Sequence, residues 1–258
     1  PMIAGRSLEY TGGTIDKLEA IPGMNVTPSL NKFKSWVKNI GCAIISQSKD
    51  ICPADNKIYA LRNQTATVPS IPIICSSIMS KKIAEGISGL VMDIKVGNGA
   101  FMKTKNKAFE LSKLIKMVAT SYGLKIDILY SDMNQPLGRY AGLGCEIKEA
   151  IDCLKGNGPQ DLMTNTFELC SSLLIQSGKS KNKQEPYDSM FGISITIIIA
   201  ITILLSLNFL GAHGVRGAIS QTEKTCQRKI SSRNLIRKKN YDHSHYDAAT
   251  VLRCWDLG

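Results

Sequence analysis

The chain is 258 residues long, 43% hydrophobic and 21% charged, the composition of a globular protein with room for one large domain or two small ones. Its net charge of +11, from 32 Lys and Arg against 21 Asp and Glu, favours anionic partners: a phosphate compound, an anionic membrane surface or nucleic acid. Aromatic residues make up only 6%, and no basic run is interleaved with them, so the sequence holds no base-stacking platform and nucleic acid is set aside as a partner.

The first informative stretch is "EYTGGTIDKLEAIPG". Thr11, Gly12, Gly13 and Thr14 can place successive backbone N–H groups in a concave nest. Thr14 suits the N-cap of a helix that starts at Ile15, and Asp16 suits its first turn. Two readings stay open from these residues: a cradle for an anion such as phosphate, or an ordinary glycine turn followed by a cap.

"NKFKSWVKNIG" predicts a helix with Phe33, Trp36 and Ile40 on one face and Gly41 as its stop, and "CAIIS" follows as a short buried strand. "YALRNQTATV" reads as helical, and "SIPIICSSIMSKKIAEGI" as extended around Pro72 and helical by Ser77. "GLVMDIKVGNGAF" is a strand ending in a turn at Gly97 and Gly99. In "KAFELSKLIKMVATSYG", Ala108, Leu111, Ile115 and Val118 share a helix face, and Gly123 ends it. "LKIDILYS" is the next strand. Helix alternating with buried strand argues for an α/β fold with a mostly parallel sheet flanked by helices.

Past about residue 183 the pattern is lost. Residues 190–210, "MFGISITIIIAITILLSLNFL", carry no charge and satisfy the roughly 20 apolar residues that a spanning helix needs. A basic, poorly patterned stretch follows, holding all of the histidines, His213, His243 and His245. Membrane attachment through 190–210 is one reading of this tail; misread coding sequence is another, which the abrupt loss of pattern favours. A buried core helix is disfavoured by length. The cysteines Cys42, Cys52, Cys75, Cys145, Cys153, Cys170, Cys226 and Cys254 form no CxxC pair, which argues against zinc. Cys42 and Cys75 lie in apolar runs, read as small core residues and fit a reducing compartment. The chain opens on Pro1 with no signal-peptide pattern, and reads as a piece of a longer protein.

Arg62, Ser77 and Lys81 are the most informative cluster. Ser77 and Lys81 are four apart at a helix start and share a face. A permanent cation, a hydroxyl and a lysine around one pocket would suit a heterocycle that gains negative charge as it departs; from spacing alone the two cations could equally be solvated surface groups. Gly97-Asn98-Gly99 invites a dinucleotide reading, but Met102 stands where the third glycine is required, which leaves a tight strand-to-helix turn.

Four stretches, "GRSLEYTGGTIDKLEAIPG", "YALRNQTATVPSIPIICSSIMSKKIAEG", "LVMDIKVGNGAFM" and "SDMNQPLGRYAGLGCEIKEAIDCLKGNGPQDL", resemble the thymidine phosphorylases and, more broadly, the pyrimidine nucleoside phosphorylases. The resemblance covers 1–177 in order and without large gaps. It implies phosphorolysis of thymidine or a related pyrimidine nucleoside to free base and a 1-phosphorylated sugar, with inorganic phosphate as co-substrate and no organic cofactor. It implies that Arg62 and Lys81 stabilise the departing base, that Ser77 hydrogen-bonds its edge, and that Thr14 contacts phosphate. It further implies a cytoplasmic homodimer. Some family members bind an alkali metal near the stretch matching 137–149, which makes Glu149 a candidate ligand.

The departures from the family pattern are specific. A helical segment with a Lys-His-Ser phosphate sequence is expected upstream and is not found, Ala4 stands at an expected serine, and Tyr10 at an expected histidine. From 178 to 258 an unrelated hydrophobic and basic tail replaces the family's last domain. Two organisations follow: an impaired central α/β domain over 1–177, inactive or nearly so on its own, or a non-catalytic membrane-attached protein that keeps this core.

Overall fold

The computed structural model describes residues 1–8 and 12–181. Tyr10, Thr11 and the apolar segment 190–210 therefore lie outside the described residues.

The first pairing is between two short apolar strands, β1 (Met2–Ala4) and β2 (Ile44–Ser46), which run parallel with Ile3 opposite Ile45. Parallel strands need a long crossover. Here it carries α1 (Thr14–Glu19) and α2 (Leu30–Ile40). Ser29 caps α2 by accepting from the Lys32 N–H, and Gly41 ends it at φ 91°, a left-handed stop that glycine adopts without a Cβ clash. Phe33 packs on Ile3 and Ile45, with Trp36 and Val37 alongside. Ile40, expected on that face, is instead exposed at the last residue of α2, next to the Gly41 stop.

α3 (Pro53–Leu61) and α4 (Ile71–Ala84) come next, and both differ from expectation. The helix expected through 59–68 ends at Leu61: the chain beyond it turns through Ala66, left-handed at φ 54°, and Pro69 disfavours helical backbone at Val68. α4 is helical from Ile71, six residues before Ser77, because Pro72 sits in its first turn, where its missing N–H has no helical acceptor to lose. The opening turn differs too. Gly13 is the N-cap of α1 and Thr14 its first helical residue, while Asp16 folds back to accept from the Ser7 N–H at 2.8 Å and from Arg6 at 3.2 Å.

β3 (Gly89–Val96) and β4 (Lys125–Asp132) form a second parallel pair in register along eight residues, joined by α5 (Lys105–Ser121). Thr104 caps α5, and Gly123 at φ 67° follows it. Ala108, Leu111 and Ile115 are buried against α4 and β3 as their spacing predicts; Ala119 lies deeper than the expected Val118. α6 (Leu143–Leu154) and α7 (Gln160–Gln176) complete the described residues, α7 packing on β3 and β4. The architecture is mixed α/β with helices flanking parallel strands, and among the described residues these strands form two separate pairs. No described helix is long and apolar enough to cross a membrane. Cys75 is buried as expected, whereas Cys42 is half-exposed.

The loops after β3 and β4 interlock. Gly97, at φ 139°, lies so close to the second loop that a Cβ would meet Met133 C and Asn134 N at 2.8 Å, and Gly99 N–H donates to the Met133 carbonyl. Gly97→Ala is expected to cost about 1–3 kcal/mol, since both the dihedral and the backbone contact oppose a side chain. A urea-denaturation midpoint that does not move would show that the two loops can separate freely.

Candidate active site

Two helices supply the polar side chains of one buried cluster. On α3, Asp55, Tyr59 and Arg62 recur at i, i+4 and i+7, the last at the C-cap, and so share a face. On α4, Ser77 and Lys81 share the face opposite. The helices pack together, and a cavity of about 550 Å³ opens between them, β1 and β3. Thr14, Arg62, Ser77 and Lys81 all line it, with Gly12, Gly13 and Tyr59. The structure thus brings together the four residues singled out by sequence.

Arg62, Ser77 and Lys81 are only 4%, 5% and 6% exposed, which excludes the reading of the cations as solvated surface groups. Buried charge needs partners. Lys81 Nζ lies 2.5 Å from Asp55 Oδ2 and donates to the Ser77 carbonyl at 2.8 Å and to Ser77 Oγ at 2.9 Å. Burial pushes the Lys81 ammonium below the usual lysine value, and Asp55 opposes that shift. Arg62 donates to the Val68 carbonyl, which holds the guanidinium at the end of its helix. The Tyr59 ring stands beside both cations, 5.2 Å from Lys81 Nζ and 5.7 Å from the Arg62 carbon, in the range of cation–π attraction. Its hydroxyl donates to the Arg6 carbonyl at 2.6 Å, and burial pushes its pKa up to about 12.

Thr14 reaches the cavity because α1 is fastened from behind. Ile15 and Leu18 pack with Ala4, Val26 and Ile147. Lys17, fully buried, forms an ion pair with Glu146 of α6, whose other oxygen accepts from the Gly142 N–H at 2.9 Å. Residues 1–190 match the model of a glycosyl transferase family, a/b domain.

The chain belongs to that glycosyl transferase family. It is accordingly a transferase of the glycosyl, pentosyl-transferring kind. Glycosyl transfer builds negative charge on the leaving group, and four buried cations, Arg62, Lys81, Lys82 and Lys95, line the cavity. Glu149 stands elsewhere. It is buried on α6, accepts from the Arg139 N–H at 2.7 Å, and burial raises its pKa. Its second oxygen would lie 2.5 Å from a Cβ at Gly138, so the carboxylate supports the 138–139 turn rather than the cavity. Among the described residues no group of three His, Cys, Asp or Glu is placed to hold a metal.

Sequence reasoning missed Asp55 and Tyr59. The signal was present as the i, i+4, i+7 stripe ending at Arg62, but it crosses the point where the expected helix began.

Proposed function

We propose that the cavity takes a pyrimidine nucleoside and that the glycosyl transfer is phosphorolysis of thymidine or a related nucleoside. The observation that carries this reading is the convergence of Arg62, Ser77 and Lys81, buried side chains on two different helices, at one cavity. A phosphate oxygen attacks C1′ of the sugar, the C1′–N bond breaks, and its electron pair leaves with the base. The base is then protonated by solvent, and the sugar leaves as its 1-phosphate. As the bond breaks, the ring carbonyls and nitrogen gain negative charge, and fixed cations stabilise that charge more than they stabilise the neutral nucleoside. Arg62 and Lys81 supply the cations and Ser77 a hydroxyl. Thr14, on the same cavity, faces the phosphate side.

The test uses the full chain with uridine or thymidine, with and without inorganic phosphate. Free base and sugar 1-phosphate are expected to form only when phosphate is present. Calorimetric titration with uracil and thymine is the companion measurement, since binding of the leaving base reports the pocket independently of turnover. Equal binding of adenine and uracil would overturn the assignment to pyrimidines.

A further inference from the structure

β3 carries two charges in an otherwise apolar strand. Leu90, Met92 and Ile94 belong to the core shared with α4 and α5, and strand alternation puts Asp93 and Lys95 together on the opposite face. Both line the cavity, toward the carboxyl end of the strand, where open parallel sheets present their ligand sites. Lys95 Nζ lies 2.6 Å from Asp93 Oδ2. The carboxylate is itself held from two sides: Ser131 Oγ of β4 donates to Oδ1 at 2.6 Å, and Asn165 Nδ2 of α7 to Oδ2 at 3.3 Å.

A lysine ammonium has three N–H donors and no acceptor. In Lys82, also buried at the cavity, they meet Glu85 Oε1, Glu85 Oε2 and Met2 Sδ. Lys95 differs. It is 7% exposed, and among the described residues its ammonium has one partner, Asp93. The remaining buried N–H groups stand beside the cavity with no protein acceptor, a costly condition. Two apolar side chains would fill the same volume without that cost, so packing alone does not account for the pair.

We propose that Lys95 and Asp93 bind a hydroxyl group of the pentose that this transferase moves. A hydroxyl both accepts and donates. Its oxygen takes an N–H from Lys95. Its hydrogen goes to Asp93, where Ser131, Asn165 and Lys95 occupy three of the roughly four lone-pair positions of the carboxylate. A phosphate oxygen suits the place less, because it sets negative charge against a carboxylate that already balances the lysine. In the reading above the base faces α3 and α4 and phosphate faces the start of α1, which leaves β3 as the wall for the sugar. Ser131 and Asn165 are positioning residues that fix the carboxylate. The proposal rests on transfer of a pentose and not on the identity of the base.

The experiment is calorimetric titration of the full chain with uridine, uracil, ribose 1-phosphate and inorganic phosphate. Lys95→Met is expected to weaken uridine and ribose 1-phosphate about tenfold or more, and to leave uracil and inorganic phosphate within about twofold of wild type. Two analogues, 2′,3′-dideoxyuridine and 5′-deoxyuridine, identify the hydroxyl. Wild type is expected to bind at least one of them about tenfold more weakly than uridine, and in Lys95→Met that difference disappears. Lys95→Met strands the Asp93 charge; where it does not fold, the paired change Lys95→Met with Asp93→Asn carries the same expectations. Wild-type affinity for uridine and ribose 1-phosphate in the folded variant overturns the proposal, as do analogues bound as tightly as uridine by wild type. Equal weakening of inorganic phosphate also overturns it and makes Lys95 an anion contact, and a wild-type chain that binds neither pentose compound removes the site altogether. Should wild type bind ribose 1-phosphate but no uracil, and Lys95→Met lose that binding, the pentose site stands and the pyrimidine reading falls.

Discussion

Glu146→Gln is expected to destabilise the full chain by about 3–5 kcal/mol, among the largest losses available to a single substitution here. Lys17 is 1% exposed and its ammonium faces the Glu146 carboxylate. Burial already lowers the Lys17 pKa, and Glu146 is the largest influence opposing that shift. Neutralising the carboxylate leaves the desolvation cost of the ammonium in place and removes what offsets it. The sign with pH follows. With its folded pKa depressed, Lys17 binds a proton more readily in the unfolded chain, so the loss is full below the variant's folded Lys17 pKa. It shrinks as pH rises through the variant's still lower folded pKa. Urea denaturation at neutral and at alkaline pH measures both effects. The paired change Lys17→Met with Glu146→Leu should recover most of the loss, since it removes both charges and keeps apolar volume. A Glu146→Gln chain as stable as wild type would mean that water reaches this pair.

The same pair shows what the sequence could and could not disclose. α5 was legible because Ala108, Leu111 and Ile115 repeat at helical spacing ahead of a glycine stop, all local features. The start of α4 was not, because proline breaks a helix interior and also favours a helix beginning; only the chain before it decides which. Lys17 reads as a solvent-facing residue in "TIDKLE", and nothing nearby announces a partner on α6. Division of the strands into two parallel pairs is likewise non-local, fixed by what α4 and α5 cover. The site was half legible. Ser77 and Lys81 stand four apart on one helix, and their spacing suffices to place them together. Asp55 and Tyr59 became visible only once α3 was seen to run from Pro53, which turns three scattered polar residues into one face.

Lys17 and Glu146 also bear on function. Thr14, the residue proposed to meet phosphate, opens α1, a six-residue helix too short to hold its own position. Its place is set by apolar contact with Ile147 and by this ion pair, both on α6. A chain weakened at Glu146 should therefore lose phosphate-dependent turnover before it loses binding of the free base, which depends on α3 and α4.

Arg62→Lys, formally conservative, is expected to lower kcat/KM for phosphorolysis by about 100-fold and to weaken uracil by about tenfold. The guanidinium does three things at once. It donates to the Val68 carbonyl, lies beside the Tyr59 ring, and keeps a permanent charge while 4% exposed. An ammonium at the end of a lysine stem has neither the fork nor the plane to satisfy a carbonyl and a ligand together. It would also stand near Lys81, where burial and like charge both drive a lysine toward its neutral form. The lost bond to Val68 alone should cost only about 1 kcal/mol of stability, so the fold survives while the site fails. Urea denaturation separates the two effects, and the pH profile adds a third reading: turnover in Arg62→Lys should fall at lower pH than in wild type, because lysine can lose its proton where arginine cannot. Wild-type uracil affinity in a folded Arg62→Lys chain would show that the guanidinium serves the Val68 carbonyl alone, and would remove Arg62 from the leaving base.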